Sequence, residues 1–296
     1  MNESPKIRIP ETVWKDICDG LKNACDAHYD QLLPHLETVR SQIEAAVEIV
    51  VGTDVDKTLT LPATSSEPVL QPTIAASLTR LIKAKGHVLV ASAREYTLLD
   101  NLFGLIEGIN LAANEGCVTL INGQKTNVVR KPDYSAPSKV AVDFANDAGP
   151  PVVFQIMGHF LGVFINKTHP RYQEIYDLLA PFAKNGVAIE DHTIGVTLEP
   201  ADKPGKWRAL VDFLNHLADR RTFVLFFGDD KNDIAAQQGV KDMGGLSFKV
   251  VPPGESMTIP NYVNGLLFGT HQTAAFLEAV AQLAVAWSTA LDAARG

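Results

Sequence analysis

The 296-residue sequence is poor in cysteine: Cys18, Cys25 and Cys117 are scattered, with no metal-site spacing between them. Zinc-ribbon and disulfide-stapled scaffolds are thereby excluded. The odd cysteine count, with an N-terminus (MNESPKIRIPE) that lacks a charged-then-apolar leader, predicts a reducing cytoplasm. No run of Lys or Arg is present and the net charge is −8, which argues against nucleic acid or an anionic membrane as the main partner. No apolar run reaches the ~20 residues of a membrane span. What is present is ordinary globular material, 46% hydrophobic and 20% charged, ample for a sizeable core in one or two domains.

The chain is organised around VEIVVGTDVDKTLT, Val47 to Thr60. Val47, Ile49, Val50 and Val51 are a β-branched run suited to the middle of a parallel sheet. Asp54 and Asp56 follow where that strand should end, two residues apart and therefore on one side of an extended segment. Carboxylates converging outside the carboxyl end of a strand mark the usual site of an open α/β sheet. They repel each other unless a cation relieves them.

Two further apolar strands end in the same kind of chemistry. Val88 to Ala91 ends in Ser92, Ala93 and Arg94; a hydroxyl at a strand tip suits a phosphate oxygen, and Ser92 is equally placed to cap a helix. Val224 to Phe227 ends in Gly228, Asp229, Asp230, Lys231, Asn232 and Asp233, acidic groups that can meet Asp54 and Asp56 in space. Between these lies LAANEGCVTL, strand-like but interrupted at Asn114, Glu115 and Gly116; Asn114 and Glu115 face substrate or form an ordinary turn. Oxygen-rich strand ends without a Cys/His cluster point to Mg²⁺.

The D-x-D-x-T pattern of Asp54, Asp56 and Thr58, then Ser92 and then GDDKND, in that order and each after an apolar strand, resembles the haloacid dehalogenase superfamily of phosphohydrolases. The resemblance covers residues 47 to about 280 and implies an α/β fold: a doubly wound, Rossmann-like parallel-sheet core over 47–121 and 201–296, with an inserted cap. It implies that Asp54 is the nucleophile and Asp56 the general acid and base. Ser92 and a lysine hold phosphoryl oxygens, and Thr58 and Arg94 lie beside the substrate. Mg²⁺ is then held by Asp54, Asp229, the backbone carbonyl of Asp56, and Asp233 or Asn232. Relatives carry Lys-Gly-x-Ala-Leu at a helix start; EPADKPGKWRAL places Lys206 in that role, with Lys203 as runner-up and Trp207 where Gly is usual. The loop Leu61 to Pro72 corresponds to a flap.

Residues 122–200 read as a separate module: a polar stretch Gln124–Pro137, then a helix over Val140–Ala148, strands Val152–Met157 and Phe160–Ile165, a helix over Pro170–Lys184, and strands Val187–Ile189 and Ile194–Leu198. That order resembles the small α/β cap of the trehalose-phosphate phosphatase and Cof-like branch. His159, Lys167, His169, Arg171 and Glu199 are its candidate substrate contacts. The KTHPR cluster of Lys167, His169 and Arg171 is weighted because basic and hydroxyl groups together suit a phosphorylated sugar.

Residues 1–46 read as a helical extension, broken at Pro34, whose apolar stripe packs on the core; its helices are also a candidate surface for self-association. A helix over Thr73–Lys85 stopped by Gly86, and an Ala-rich terminal helix over His271–Ala294 presenting Phe276, Val280, Leu283, Val285 and Trp287, complete the reading. The expected activity is hydrolysis of a small phosphorylated metabolite. A phosphomutase using the same core and a non-catalytic binding protein are the alternatives.

Overall fold

The β-branched run after Val47 forms β1 (Glu48–Thr53), buried at the centre of the larger of two sheets. A computed structural model describes residues 7–45, 47–61, 68–192, 195–217 and 220–295. From β1 the chain winds outward through α3 (Pro72–Lys83), β2 (His87–Ala91), α4 (Tyr96–Phe103) and β3 (Asn110–Ala113). A hairpin of β4 (Val118–Ile121) and β5 (Gln124–Asn127) ends that side, antiparallel to β3. The chain returns to the other flank of β1 through α7 (Gly205–Asn215), β10 (Thr222–Gly228), α8 (Ile234–Asp242), β11 (Leu246–Val251) and β12 (Gly265–Phe268). The sheet order is β12-β11-β10-β1-β2-β3-β4-β5, parallel from β12 through β3. The winding reverses between β1 and β10, the point where such sheets open a crevice.

Alternation along the central strands fills both faces. Ile49, Val51, Phe223, Leu225 and Phe227 face one helical layer, formed by α1 (Glu11–Cys25), α2 (Tyr29–Glu44), α3 and α9 (Gly269–Arg295). Val50, Val224 and Phe226 face α7 and α8. Gly52 is needed on that face, since a Cβ there would approach the Phe226 ring to 2.8 Å. Trp207 occupies a helix position where a small residue was expected; its indole lies on Gly239 of α8, which supplies the missing space.

The N-terminal stripe does pack on the core: Trp14, Ile17, Cys18, Leu21 and Cys25 of α1 and Leu32, Leu36, Val39 and Ile43 of α2 are buried. Its break, however, lies at Asp26–His28, and Pro34 sits inside α2. The apolar stripe of α2 compensates for the one backbone bond that Pro34 removes. After α3 it is Lys85, not Gly86, that takes the left-handed conformation (φ 66°) closing the helix. By length and mean hydropathy α9 could cross a membrane, but Phe276, Leu277, Val280 and Leu283 are buried in the core and only Val285 of the expected stripe turns outward.

The second sheet holds β6 (Val153–Met157), β7 (Phe160–Phe164), β9 (Gly195–Pro200) and β8 (Val187–His192), antiparallel in that order. Helices α5 (Ser135–Ala148) and α6 (Tyr172–Leu179) cover one face through Phe144, Ile175 and Leu179 on Leu161, Val163, Val196 and Leu198. The polar stretch after residue 122 is not all linker, because β5 belongs to the larger sheet. Thr193 and Ile194, where the last strand was expected to begin, and residues 62–67 of the expected flap lie outside the described residues.

Candidate active site

Asp54 extends the β1–β10 ladder by one bond, its N–H donating to the Phe227 carbonyl at 2.9 Å. That brings it beside the end of β10, where Asp229 and Asp233 stand. One carboxylate oxygen from each of Asp54, Asp229 and Asp233 lies within 4.8 Å of the other two. Gly228 makes room for this, since a Cβ there would collide with the Asp233 carboxyl. Asp233 is fixed in turn by accepting the Asp230 N–H at 3.0 Å.

Lys206, in the first turn of α7, enters the cluster from the other side. Its Nζ donates to Asp54 Oδ1 at 2.7 Å, Asp233 Oδ1 at 2.6 Å and Asn232 Oδ1 at 3.3 Å. Burial alone would lower the pKa of this ammonium, but Asp54 and Asp233 outweigh it and the net shift is upward. Asp229 is raised to about 7 and Asp233 to about 6, by burial first. Repulsion from Asp54 adds to both, and Lys206 offsets part of it at Asp233. Three carboxylates stand against one buried ammonium, with only the exposed Lys57 near Asp229 besides, so the cluster carries excess negative charge that a divalent cation would neutralise. The oxygen-only donor set suits a hard ion such as Mg²⁺. Thr58 Oγ1 is buried beyond β1 without a hydrogen-bond partner, an orphan that a phosphoryl oxygen or bound water would satisfy.

Asp56 does not join the acidic cluster. Arg94 Nε and an Arg94 terminal nitrogen each donate to one of its oxygens at 2.6 Å, a bidentate pair. Ser92 is buried at the tip of β2, but α4 begins only at Tyr96, so Ser92 is not its cap; its hydroxyl accepts the Arg94 N–H at 3.2 Å.

Asn114 and Glu115 form the β3–β4 turn with Gly116, all three left-handed (φ 47°, 52° and 87°). The turn is sewn to the β2 tip, Asn114 N–H to the Arg94 carbonyl and Glu115 N–H to the Ser92 carbonyl, both at 2.8 Å. The Asn114 amide also donates to the Met157 carbonyl at 2.9 Å, tying the small sheet to the large one.

That tie fixes which end of the small sheet faces the cluster. Gly158 and His159 turn beside Asn114, and β7 leads away from there. Lys167 lies beyond its far end, and the strand alone covers roughly 13 Å. Lys167 pairs with Asp191, and Arg171 with Asp147 and Glu174. His169 accepts the Arg171 N–H within its own turn. A surface depression holding Lys167, His169, Tyr172 and Asp191 includes no residue of the acidic cluster. The KTHPR residues therefore stand at the far end of the small sheet, away from the acidic cluster, because the polarity of β7 carries them there. His159 is structural: its ring bonds the Val129 carbonyl at 3.0 Å.

Glu199 at the near end of β9 is the cap residue that does face the core. It is buried, bonded to Thr197, His192 and Lys203, and held at about 2; burial opposes this, and His192, Lys203 and Thr197 override it. Lys203 also reaches Glu115 at 3.0 Å. Between the two lysines, Lys206 takes the place in the cluster and Lys203 the place between cap and core.

Sequence reading missed two cations at Asp229. Lys57 lies 3.7 Å from its carboxylate, and Lys249 donates to its backbone carbonyl at 2.8 Å. Lys57 was visible inside the first motif; Lys249 stands in β11, for which no element was expected. A cavity of about 480 Å³ opens beside Asp229, walled by Lys57, Lys249, Val251 and Pro252.

No family model and no curated protein matches the chain by sequence. Solved structures match its fold. The C-terminal domain of Candida albicans trehalose-6-phosphate phosphatase gives a TM-score of 0.63 at 16% identity, over 83% of this chain and 96% of that one. The C-terminal domain of a Candida albicans trehalose synthase regulatory protein gives 0.62 at 13% identity, over 82% and 97%. A Bacteroides thetaiotaomicron phosphatase of the haloalkanoate superfamily gives 0.53 at 15% identity, over 78% and 94%. The chain has the haloacid dehalogenase-type α/β fold that these structures share.

Proposed function

We propose that the chain is a phosphomonoester hydrolase acting on a small phosphorylated metabolite, a sugar phosphate, with Mg²⁺ as cofactor. The observation that carries the proposal is Lys206 held between Asp54 and Asp233, with Asp229 completing the acidic group at the reversal point of the sheet. An Asp54 oxygen attacks phosphorus and the ester P–O bond breaks, leaving the phosphoryl group on Asp54. Asp56 gives its proton to the departing alkoxide. Asp56 then takes a proton from water as the water oxygen attacks phosphorus, which frees phosphate and restores the Asp54 carboxylate. Lys206 and Ser92 hold the non-bridging oxygens throughout. Because Arg94 occupies both Asp56 oxygens, one contact must open before Asp56 can serve the leaving group. Mg²⁺ held by Asp54, Asp229 and Asp233, with Asn232 and the Asp56 carbonyl beside them, would neutralise charge on the phosphoryl oxygens.

A sugar as leaving group is supported by the polar seam where cap meets core, with Glu199 and Lys203 on one side and Asn114 of the β3–β4 turn on the other, charged and amide groups of the kind that bind hydroxyls. The named activity of the Candida albicans phosphatase neighbour favours a disaccharide phosphate within that class. Buried thiols without a disulfide suit the cytoplasm. Self-association through α1 and α2 would have to use their polar outer faces, since their apolar stripes are buried. A second reading, a non-catalytic regulator, draws support from the regulatory protein that shares the fold; retention of Asp54, Asp56, Lys206, Asp229 and Asp233 weighs against it.

Phosphate release from a panel of phosphorylated metabolites, with and without Mg²⁺, separates the two. The proposal expects Mg²⁺-dependent release, greatest with a sugar phosphate. No release from any ester, by folded protein with Mg²⁺ present, would leave the regulatory reading standing.

A further inference from the structure

The turn Asn114-Glu115-Gly116 places a carboxylate where neither nucleophile, metal cluster nor proton transfer needs one. Glu115 is held in a left-handed conformation (φ 52°) that non-glycine residues rarely adopt. Its two oxygens divide their work. Oε2 meets Lys203 Nζ at 3.0 Å, and Oε1 accepts from the Asn232 amide at 3.2 Å. The same Asn232 presents its Oδ1 to Lys206 Nζ at 3.3 Å. Lys203 stands in the short segment that returns the chain from β9 to α7, and its ammonium also holds Glu199 on the cap. One chain of contacts therefore runs Glu199, Lys203, Glu115, Asn232, Lys206, Asp54, from the cap to the nucleophile.

We propose that Glu115 and Lys203 are positioning residues, which hold the cap against the catalytic loop and, through Asn232, set the Lys206 ammonium against Asp54. The inference rests on the phosphatase reading of the site and adds to it the coupling of cap placement to the catalytic lysine. Displacement of the cap must break Lys203 from Glu115 or from Glu199. In the first case Glu115 loses its countercharge and its hold on Asn232 relaxes. Each end of the chain is buried or half-buried, so water does not readily replace a broken contact.

The test uses Lys203→Met, Glu115→Gln, the double variant and Lys203→Arg in the full-length protein with saturating Mg²⁺. The substrate is p-nitrophenyl phosphate, which needs no sugar contact. Each single variant is expected to lower kcat about tenfold with KM changed less than about twofold. The double variant should be no slower than the worse single one, as for two members of one link. Lys203→Arg should recover most of the rate. Hydrogen exchange read by mass spectrometry should show the amides of residues 229–233 exchanging faster in Lys203→Met, although Lys203 touches none of them.

Wild-type kcat in the folded single variants overturns the proposal. So does a lowered kcat with unchanged exchange at 229–233, and so does a uniform rise in exchange across the whole chain, which would mark Lys203 as a stabilising residue alone. If the wild-type protein hydrolyses no ester, the phosphatase reading fails by itself, and the exchange measurement decides whether the coupling exists.

Discussion

Lys206 has 1% of its side chain exposed. Burying an ammonium costs several kcal/mol, and it persists here because Asp54 and Asp233 both contact it. The same contacts define its use, since an ammonium against the nucleophile is where a transferring phosphoryl group develops charge. Lys206→Met should lower kcat by about a thousandfold. It should also cost about 3–5 kcal/mol of stability in metal-free protein, because the carboxylates lose their only buried cation among the described residues. Added Mg²⁺ should recover part of the lost Tm; a thermal melt that Mg²⁺ leaves unchanged would contradict that. At this scale the sequence showed Asp54, Asp229 and Asp233 plainly, because strand ends bring their side chains together whatever the loops do. It left Lys203 and Lys206 undecided, because two lysines three residues apart are told apart only by where α7 begins. The Arg94 fork on Asp56 was also out of reach, since it depends on the distance between two loop tips.

At the scale of elements, the cap shows what periodicity cannot supply. Its strands and helices were legible from their apolar spacing, but nothing in GVFINKTHPR says which end of β7 meets the core. The turn at Gly158, beside Asn114, decides it and sends Lys167, His169 and Arg171 to the far end. Arg171→Ala should therefore leave kcat/KM within about twofold on every substrate, as for an exposed ion pair. Glu199→Gln should lower kcat/KM for the preferred sugar phosphate by about ten- to a hundredfold and should lower kcat on p-nitrophenyl phosphate less than Lys203→Met does, because Lys203 keeps its contact with Glu115. Equal losses on both substrates would move Glu199 from substrate contact to cap architecture. The stretch from Ile234 to Phe268 was unread because its strands are short: β12 has four residues, and β11 lies between Gly244–Gly245 and Pro252–Pro253 with Lys249 inside its apolar run.

For the whole molecule, the excess negative charge of the site should appear as a dependence of stability on pH. Asp229 and Asp233 hold protons in the folded state, up to about 7 and about 6, that the unfolded chain releases near 4. The folded state thus binds more protons across that window, and metal-free stability should fall as pH rises from about 4 to about 7. Mg²⁺ competes with those protons, so the Tm gain at saturating Mg²⁺ should be small at pH 5 and larger at pH 7.5. A Tm gain independent of pH would place the cation elsewhere. The most direct measurement of the account as a whole is acid quench of the protein during turnover with Mg²⁺ and p-nitrophenyl phosphate, followed by peptide mass spectrometry. The account predicts one phosphoryl group on the peptide carrying Asp54 in wild-type protein, and neither that adduct nor turnover above about a thousandth of the wild-type rate in a folded Asp54→Asn variant. Near-normal turnover by Asp54→Asn, or a phosphoryl group trapped on another residue, would contradict it.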